Sequence, residues 1–151
     1  MATPIEIHPV GPAEVPSWRA MRGRLWPDET DDHDEEIARY LAGALLLPAI
    51  TLIARDDGAE PLGFAEATVR PHADGCESDR VVYLEGWYVE PSARRRGVGA
   101  ALVRAVEDWG RAQGCREFAS DTEVETEVSA AAHRALGLKE VGRVIVFRKD
   151  L

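Results

Sequence analysis

Between Ile50 and Pro91 the apolar residues alternate in three consecutive segments, "ITLIAR", "GFAEATVR" and "VVYLEGWYVEP". Successive side chains of a strand point to opposite faces, so a period of two marks strands with a buried face. The turn "DDGAEPLG" and the polar loop "HADGCESD" separate the segments, which reads as an antiparallel meander. A meander of this kind needs other elements to cover its faces.

The flanking chain supplies them. "IEIHPV" reads as a short strand ended by Gly11 and Pro12. "AEVPSWRAMRGRLWP" places Val15, Trp18, Met21 and Leu25 at helical spacing and stops at Pro27. "DETDDHDEEIARYLAGALLLP" begins with carboxylates, which suit the positive end of a helix dipole. It continues with Ile37, Tyr40, Leu41 and Leu45 as the expected buried stripe. After the meander, "GVGAALVRAVEDWGRAQG" is an amphipathic helix stopped by Gly114, and "CREFASD" a short buried strand. "VETEVSAAAHRALG" is a helix with Gly137 at its end, and "VGRVIVFRK" a closing strand. The expected fold class is mixed α/β (α+β), with a mostly antiparallel sheet and helices on both faces. The length and the absence of internal repeats predict one domain over residues 1–151.

Charge narrows the partners. With 18 Lys and Arg against 27 Asp and Glu, the net charge of −9 argues against nucleic acid and favours a cationic or neutral ligand. "LAGALLLPAI" is too short to cross a bilayer and contains Pro48, so no membrane association is expected. The N-terminus shows no secretion signal, and Cys76 and Cys115 form no pairing pattern; both point to a reducing cytoplasm. The acidic run "DETDDHDEE" is either a solvated helix start or part of a surface that draws in a polycation. His33 within it has no second ligand at metal spacing, so no metal is expected.

"VEPSARRRGVGAAL" joins a strand to a helix through Arg94, Arg95, Arg96, Gly97, Val98 and Gly99. A helix start presents unpaired backbone N–H groups and the positive dipole end to one point, a site for a pyrophosphate. Glycine lets backbone come close or take unusual dihedrals, and the arginines reach outer phosphates or stay in solvent. The plain alternative is a charged turn before a helix.

This stretch resembles the acyl-coenzyme-A-binding motif of the GNAT N-acetyltransferases, met by Arg94, Gly97 and Gly99. "AAAHRALGLKEVGR" is similar to that family's later Leu-Gly-Phe-x-Glu segment, with Leu138 in place of Phe. "RLWPD", "FAEATVR", "YLEGWYV", "EFASD" and "AHRALGLKE" together look like the small aminoglycoside 6′-N-acetyltransferases, in matches running from Trp26 to Glu140. The resemblance implies the GNAT fold with a splayed central strand pair. It also implies acetyl-coenzyme A as co-substrate, an aminoglycoside as acceptor and a homodimer. Two positions depart from it: Thr126 stands where many relatives have a cofactor-holding Asn, and Gly142 where relatives have an acidic residue.

The resemblance assigns coenzyme contacts to "GWYV" (Trp87, Tyr88, Val89), to backbone N–H groups from Arg96 to Ala100, and to Thr126. It implies that a backbone N–H at Val89 or a neighbour polarises the thioester carbonyl. Carboxylates must bind the cationic acceptor and take its proton. Asp121, ending "EFASD", is the first candidate; Glu66 and Glu85 lie on neighbouring strands and either line the same cleft or face outward. Trp26 offers an apolar wall for a sugar ring or belongs to the core, and Glu140 closes the substrate-side segment. His133, where many GNAT enzymes have Tyr, is either the acid for the leaving thiolate or a locally bonded helix residue. Acetylation of a polyamine or peptide amine, and a non-catalytic acyl-coenzyme-A-binding module, are the competing functions.

Overall fold

The computed structural model describes residues 3–28 and 32–151. Strand β1 (Glu6–Pro9) leads to helices α1 (Val15–Leu25) and α2 (His33–Leu41), then to strands β2 (Ala49–Arg55), β3 (Gly63–Arg70) and β4 (Val81–Val89). Helix α3 (Val98–Ala112), strand β5 (Glu117–Ser120) and helix α4 (Glu127–Ala135) follow. The five strands form one sheet in chain order. β1 to β4 pair antiparallel, as the meander predicts, and β5 runs parallel to β4.

Alternation along the strands sorts the core into two layers. Leu52, Ala54, Ala65, Ala67, Val82 and Leu84 face α3, which meets them with Val98, Leu102, Val103 and Val106. Those four recur on one side of a 3.6-residue helix, and the strand residues recur every second position. Ile53 and Phe64 face the other way, against Trp18 and Met21 of α1 and Ile37 of α2. Helices therefore cover both faces, as expected.

Two irregularities in β4 shape the functional region. Its pairing with β3 passes from Glu66↔Gly86 to Ala67↔Leu84, which leaves Glu85 as an extra residue in a bulge. A bulge bends its strand and increases the local twist. Pairing of β4 with β5 covers only Val81 to Leu84, so β4 from Glu85 to Val89 has an open edge on that side. This is the splayed strand pair.

Three expectations fail. α2 ends at Leu41, and Gly43 follows with φ +65°, so Leu41 and Leu45 leave the buried stripe and are 54% and 38% exposed. β5 is half-buried throughout rather than buried, because it borders the sheet. The closing strand does not form: residues 138–151 carry no strand. A strand needs a hydrogen-bonding neighbour, and this segment meets none among the described residues. Among the described residues, no helix is long and apolar enough to cross a membrane.

Candidate active site

The first half of the site is made of backbone. Arg95 has φ +64° and Gly97, at the N-cap of α3, has φ +77°. No side chain caps this helix, and among the described residues no acceptor meets the backbone N–H groups from Arg95 through Ala100. Successive free N–H groups in such a turn, at the positive end of a 15-residue helix, form an anion cradle. A Cβ on Gly97 would touch nothing within 4 Å, so its requirement is dihedral rather than spatial. Gly99 serves differently: its Cβ would lie 3.1 Å from the Trp87 indole, whose Nε1–H donates to the Gly99 carbonyl at 3.2 Å. The three arginines separate. Arg94 donates to the Val89 carbonyl at 3.3 Å and Arg96 to Asp56 at 3.0 Å, while Arg95 has no hydrogen-bond partner among the described residues.

The open edge of β4 lies beside this cradle. The Glu90 N–H donates to the Leu62 carbonyl, on the β3 side. Backbone groups alternate along a strand, so those of Trp87 and Val89 point to the open edge and those of Tyr88 to β3. His133 sits where the pair opens, edge-on to Trp87 at 5.3 Å. The hydrogen-bond network assigns its tautomer: Nδ1–H donates to the Ser129 carbonyl at 2.6 Å, and Nε2 accepts from the Ser120 hydroxyl at 2.9 Å. Local bonding and a place at the splay thus coexist.

The second half is made of side chains. Glu66, Thr68 and Arg70 alternate along β3, and Glu85 projects toward them from the bulge. Glu85 accepts from the Thr68 hydroxyl at 2.7 Å and from Arg70 at 2.8 and 2.6 Å. Arg70 also lies 3.5 Å above the Tyr83 ring centroid. The Tyr83 hydroxyl donates to Asp121, which follows β5 and is exposed. Burial, with the Asp121 carboxylate, pushes the Tyr83 phenol well up, so it stays a donor.

Glu66 is held differently. It accepts from Trp18 Nε1 at 2.9 Å and from Arg22 at 2.6 and 2.8 Å. Burial pushes its carboxyl up against the pull of Arg22 and Trp18. Arg22, itself buried, also donates to Glu36 and to His33 Nδ1, and His33 Nε2–H donates to the Trp26 carbonyl. This chain of contacts pins Trp26. Its ring lies on Gly86 so closely that a Cβ there would be 2.5 Å from it. Trp26, Arg22, Tyr40, Glu66, Thr68 and Glu85 line one cleft of about 440 Å³. A groove of about 520 Å³ between α1 and Glu60–Leu62 contains none of the expected site residues.

The remaining expected residues lie apart from the carboxylate face. Glu140 pairs with Arg134 and Arg143 at the surface, and Thr126 precedes α4 without capping it. In the acidic run, Asp34 pairs with Arg19, Glu35 with Arg39 and Glu36 with Arg22; Glu29, Thr30 and Asp31 lie outside the described residues. Among the described residues no cluster of three His, Cys, Asp or Glu is placed to hold a metal.

Sequence reasoning missed Arg22, Thr68, Arg70 and Tyr83. A signal existed for the first: Arg22 follows Trp18 by four residues on the buried stripe, and a charge there demands a partner. The alternation of Glu66, Thr68 and Arg70 places all three on one face.

Comparison with known proteins gives a consistent picture. The acetyltransferase (GNAT) family model matches residues 15–138. The chain is 51% identical over 146 residues to an aminoglycoside N(6′)-acetyltransferase type 1 of Klebsiella aerogenes, covering 96% of each chain. It is 47% identical over 141 residues to that of Stenotrophomonas maltophilia, covering 93% of this chain and 90% of the relative. Among solved structures, AAC(6′)-Iy in complex with the bisubstrate analogue CoA-S-monomethyl-acetylneamine matches with a TM-score of 0.89 and 39% identity, covering 99% of this chain and 100% of the other. AAC(6′)-Iy in complex with CoA matches with a TM-score of 0.88 and 38% identity, covering 100% and 98%.

Proposed function

The chain belongs to the acetyltransferase (GNAT) family, and on that premise we propose that it moves an acetyl group from acetyl-coenzyme A to the 6′-amine of aminoglycoside antibiotics, conferring resistance. The carrying observation is the meeting of two unlike surfaces at the splayed β4–β5 pair: free backbone N–H groups on one side and clustered carboxylates on the other. The relatives' shared 6′-specificity supports the choice of amine.

The coenzyme fits the first surface. Its diphosphate would be held by the N–H groups from Arg95 to Ala100, with Arg95 free to reach outer phosphates. Its extended arm would add to the edge of β4 at Trp87 and Val89, as a strand adds to a sheet. When bound, acetyl-coenzyme A supplies an acetyl group activated as a thioester. The Val89 N–H, directed at the open edge, is placed to polarise the thioester carbonyl.

The acceptor fits the second. A carboxylate has about four acceptor positions. Glu85 uses three on Thr68 and Arg70, which fixes its orientation and leaves room for a substrate ammonium. Asp121 spends only one oxygen, on Tyr83, and is exposed, so it is the group freest to take the proton from the reacting amine. Glu66, wrapped by Arg22 and Trp18, positions the cleft wall that ends in Trp26. His133 Nε2, which accepts from the Ser120 hydroxyl at 2.9 Å beside the splay, can take up a proton released by the acceptor amine and pass it to the leaving thiolate, so that the proton lost by the amine ends on the thiol.

The enzyme is proposed to act in the cytoplasm as a homodimer, with residues 1–151 as one catalytic domain; unpaired Cys76 and Cys115 support a reducing compartment. Thiol release from acetyl-coenzyme A in the presence of aminoglycosides, polyamines and peptides tests the assignment. Release with aminoglycosides alone is expected. Release with polyamines or peptides only would give the acceptor role to another amine, and none at all would leave a coenzyme-binding module.

A further inference from the structure

We propose that Tyr83 is a positioning residue of the acceptor side: its hydroxyl holds one oxygen of Asp121 so that the other faces the acceptor amine, and its ring, capped by Arg70, fixes that carboxylate relative to Glu85. This rests on the acetyl-transfer reading above and adds to it the residue that aims the proton acceptor.

Sheet register brings the parts together. Tyr83 lies opposite Thr68 on β3 and beside Ala119 on β5. Paired residues of adjacent strands share a face, and each face repeats every second residue. Glu66, Thr68 and Arg70 therefore share a face with Tyr83, and Asp121, two residues beyond Ala119, continues it past the end of β5. At that point β5 presents only the methyl of Ala119, which packs in the same small cluster as Tyr83, Ala73 and Val81.

Tyr83 is 8% exposed, and a phenylalanine would fill the same space without needing a polar partner. The hydroxyl finds its partner in Asp121 Oδ2. Burial and the neighbouring carboxylate both push the phenol up, so it keeps its proton and donates. The torsion that turns a carboxylate is broad, and a charge-assisted hydrogen bond to one oxygen narrows it. Oδ2 is thereby committed and Oδ1 left for the substrate. The amine gives its proton to Oδ1 and keeps the lone pair for attack, while Tyr83 neither gains nor loses a proton.

Arg70 ties this carboxylate to the other. Its guanidinium lies 3.5 Å above the Tyr83 ring centroid and forks onto both oxygens of Glu85 at 2.8 and 2.6 Å. A cation held over the ring face restrains the ring. Glu85 and Asp121 are thus joined through two side chains and do not point independently. Two carboxylates at a fixed separation favour ammonium groups carried at a matching separation on a rigid ring over those of a flexible polyamine.

The experiment is steady-state kinetics on the full chain with an aminoglycoside and acetyl-coenzyme A. Tyr83→Phe keeps the ring and its stacking and removes only the hydroxyl. It should lower kcat/KM for the aminoglycoside about tenfold, the scale of one hydrogen bond to a charged group, and leave the KM of acetyl-coenzyme A unchanged. Its urea midpoint should move no further than that of Asp121→Asn. In an Asp121→Asn background the same change should add no further loss, because residues that act through one another are not additive. Full additivity would mean that Tyr83 acts elsewhere, and an unchanged kcat/KM in Tyr83→Phe would mean that it does not act at all; either overturns the proposal. Equal losses toward both substrates with a lowered midpoint would make Tyr83 a core residue, which overturns it too. Arg70→Lys keeps the charge but cannot fork onto Glu85 or lie flat on the ring, so it should raise the acceptor KM alone. An unchanged acceptor KM there would overturn the tie to Glu85. An unmutated chain that releases no thiol with any aminoglycoside would remove the acetyl-transfer reading and this inference with it, whereas an active chain with a silent Tyr83→Phe would remove the inference alone.

Discussion

On the side of the splayed strands proposed for the coenzyme, the structure offers free backbone N–H groups within a few residues of one helix start. On the side proposed for the acceptor it offers carboxylates held by arginines, a tryptophan and a tyrosine. The first surface depends on dihedral angles, and most side chains there are free to vary. The second depends on long-range ion pairs, so each of its carboxylates has a fate set by its partner: Glu66 neutralised, Glu85 oriented, Asp121 largely free. Proteins recognise a diphosphate through general features of a helix terminus. Recognition of several ammonium groups at fixed spacing needs charges fixed in space, and fixing them takes a supporting layer.

The contrast can be broken first at that supporting layer. Arg22→Ala strands Glu66 in a buried position without its counter-charge, and breaking such a pair typically costs about 3–5 kcal/mol. Urea unfolding should show a loss of that order, with the coenzyme cradle chemically untouched. A loss below about 1 kcal/mol, the scale of a surface pair, would mean that Arg22 does not hold the acceptor side together.

Next is the free carboxylate. Asp121→Asn keeps the shape and removes the charge, so kcat/KM for an aminoglycoside should fall by about 10²-fold. The deficit should shrink toward high pH, where more of the acceptor amine is already neutral. Near-normal kcat/KM from pH 6 to 9 would move the proton-accepting role away from Asp121.

The smallest of the three effects concerns the cradle. A β-branched residue at φ +77° costs roughly 1–2 kcal/mol in strain, and relief of that strain would turn the N–H groups away from the diphosphate. Gly97→Val should therefore weaken acetyl-coenzyme A binding by more than about tenfold in calorimetry. Unchanged affinity in a folded Gly97→Val protein would remove the cradle from the site.

The same contrast explains what could be read from sequence. The cradle was legible because its determinants, Arg94 to Gly99, are consecutive and helix starts have fixed geometry. The meander and the α3 stripe were legible because their periods follow from local backbone shape. Glu66, Glu85 and Asp121 could be named as carboxylates, but their division of labour could not, since it rests on Arg22, Arg70 and Tyr83 arriving from elsewhere in the chain. Residues 143–149 have the composition of a strand and form none in a single chain, because a strand's existence depends on a neighbour that local sequence does not specify.

The most direct test of the acetyl-transfer assignment uses a pair of aminoglycosides that differ only at C6′, one bearing an amine and the other a hydroxyl. Thiol release from acetyl-coenzyme A is measured with each, and the product of the first is mapped by mass spectrometry. Release with the 6′-amine compound, a single acetyl group on that nitrogen and no release above background with the 6′-hydroxyl compound are expected. Equal release with both compounds, or an acetyl group on another amine, would contradict the assignment.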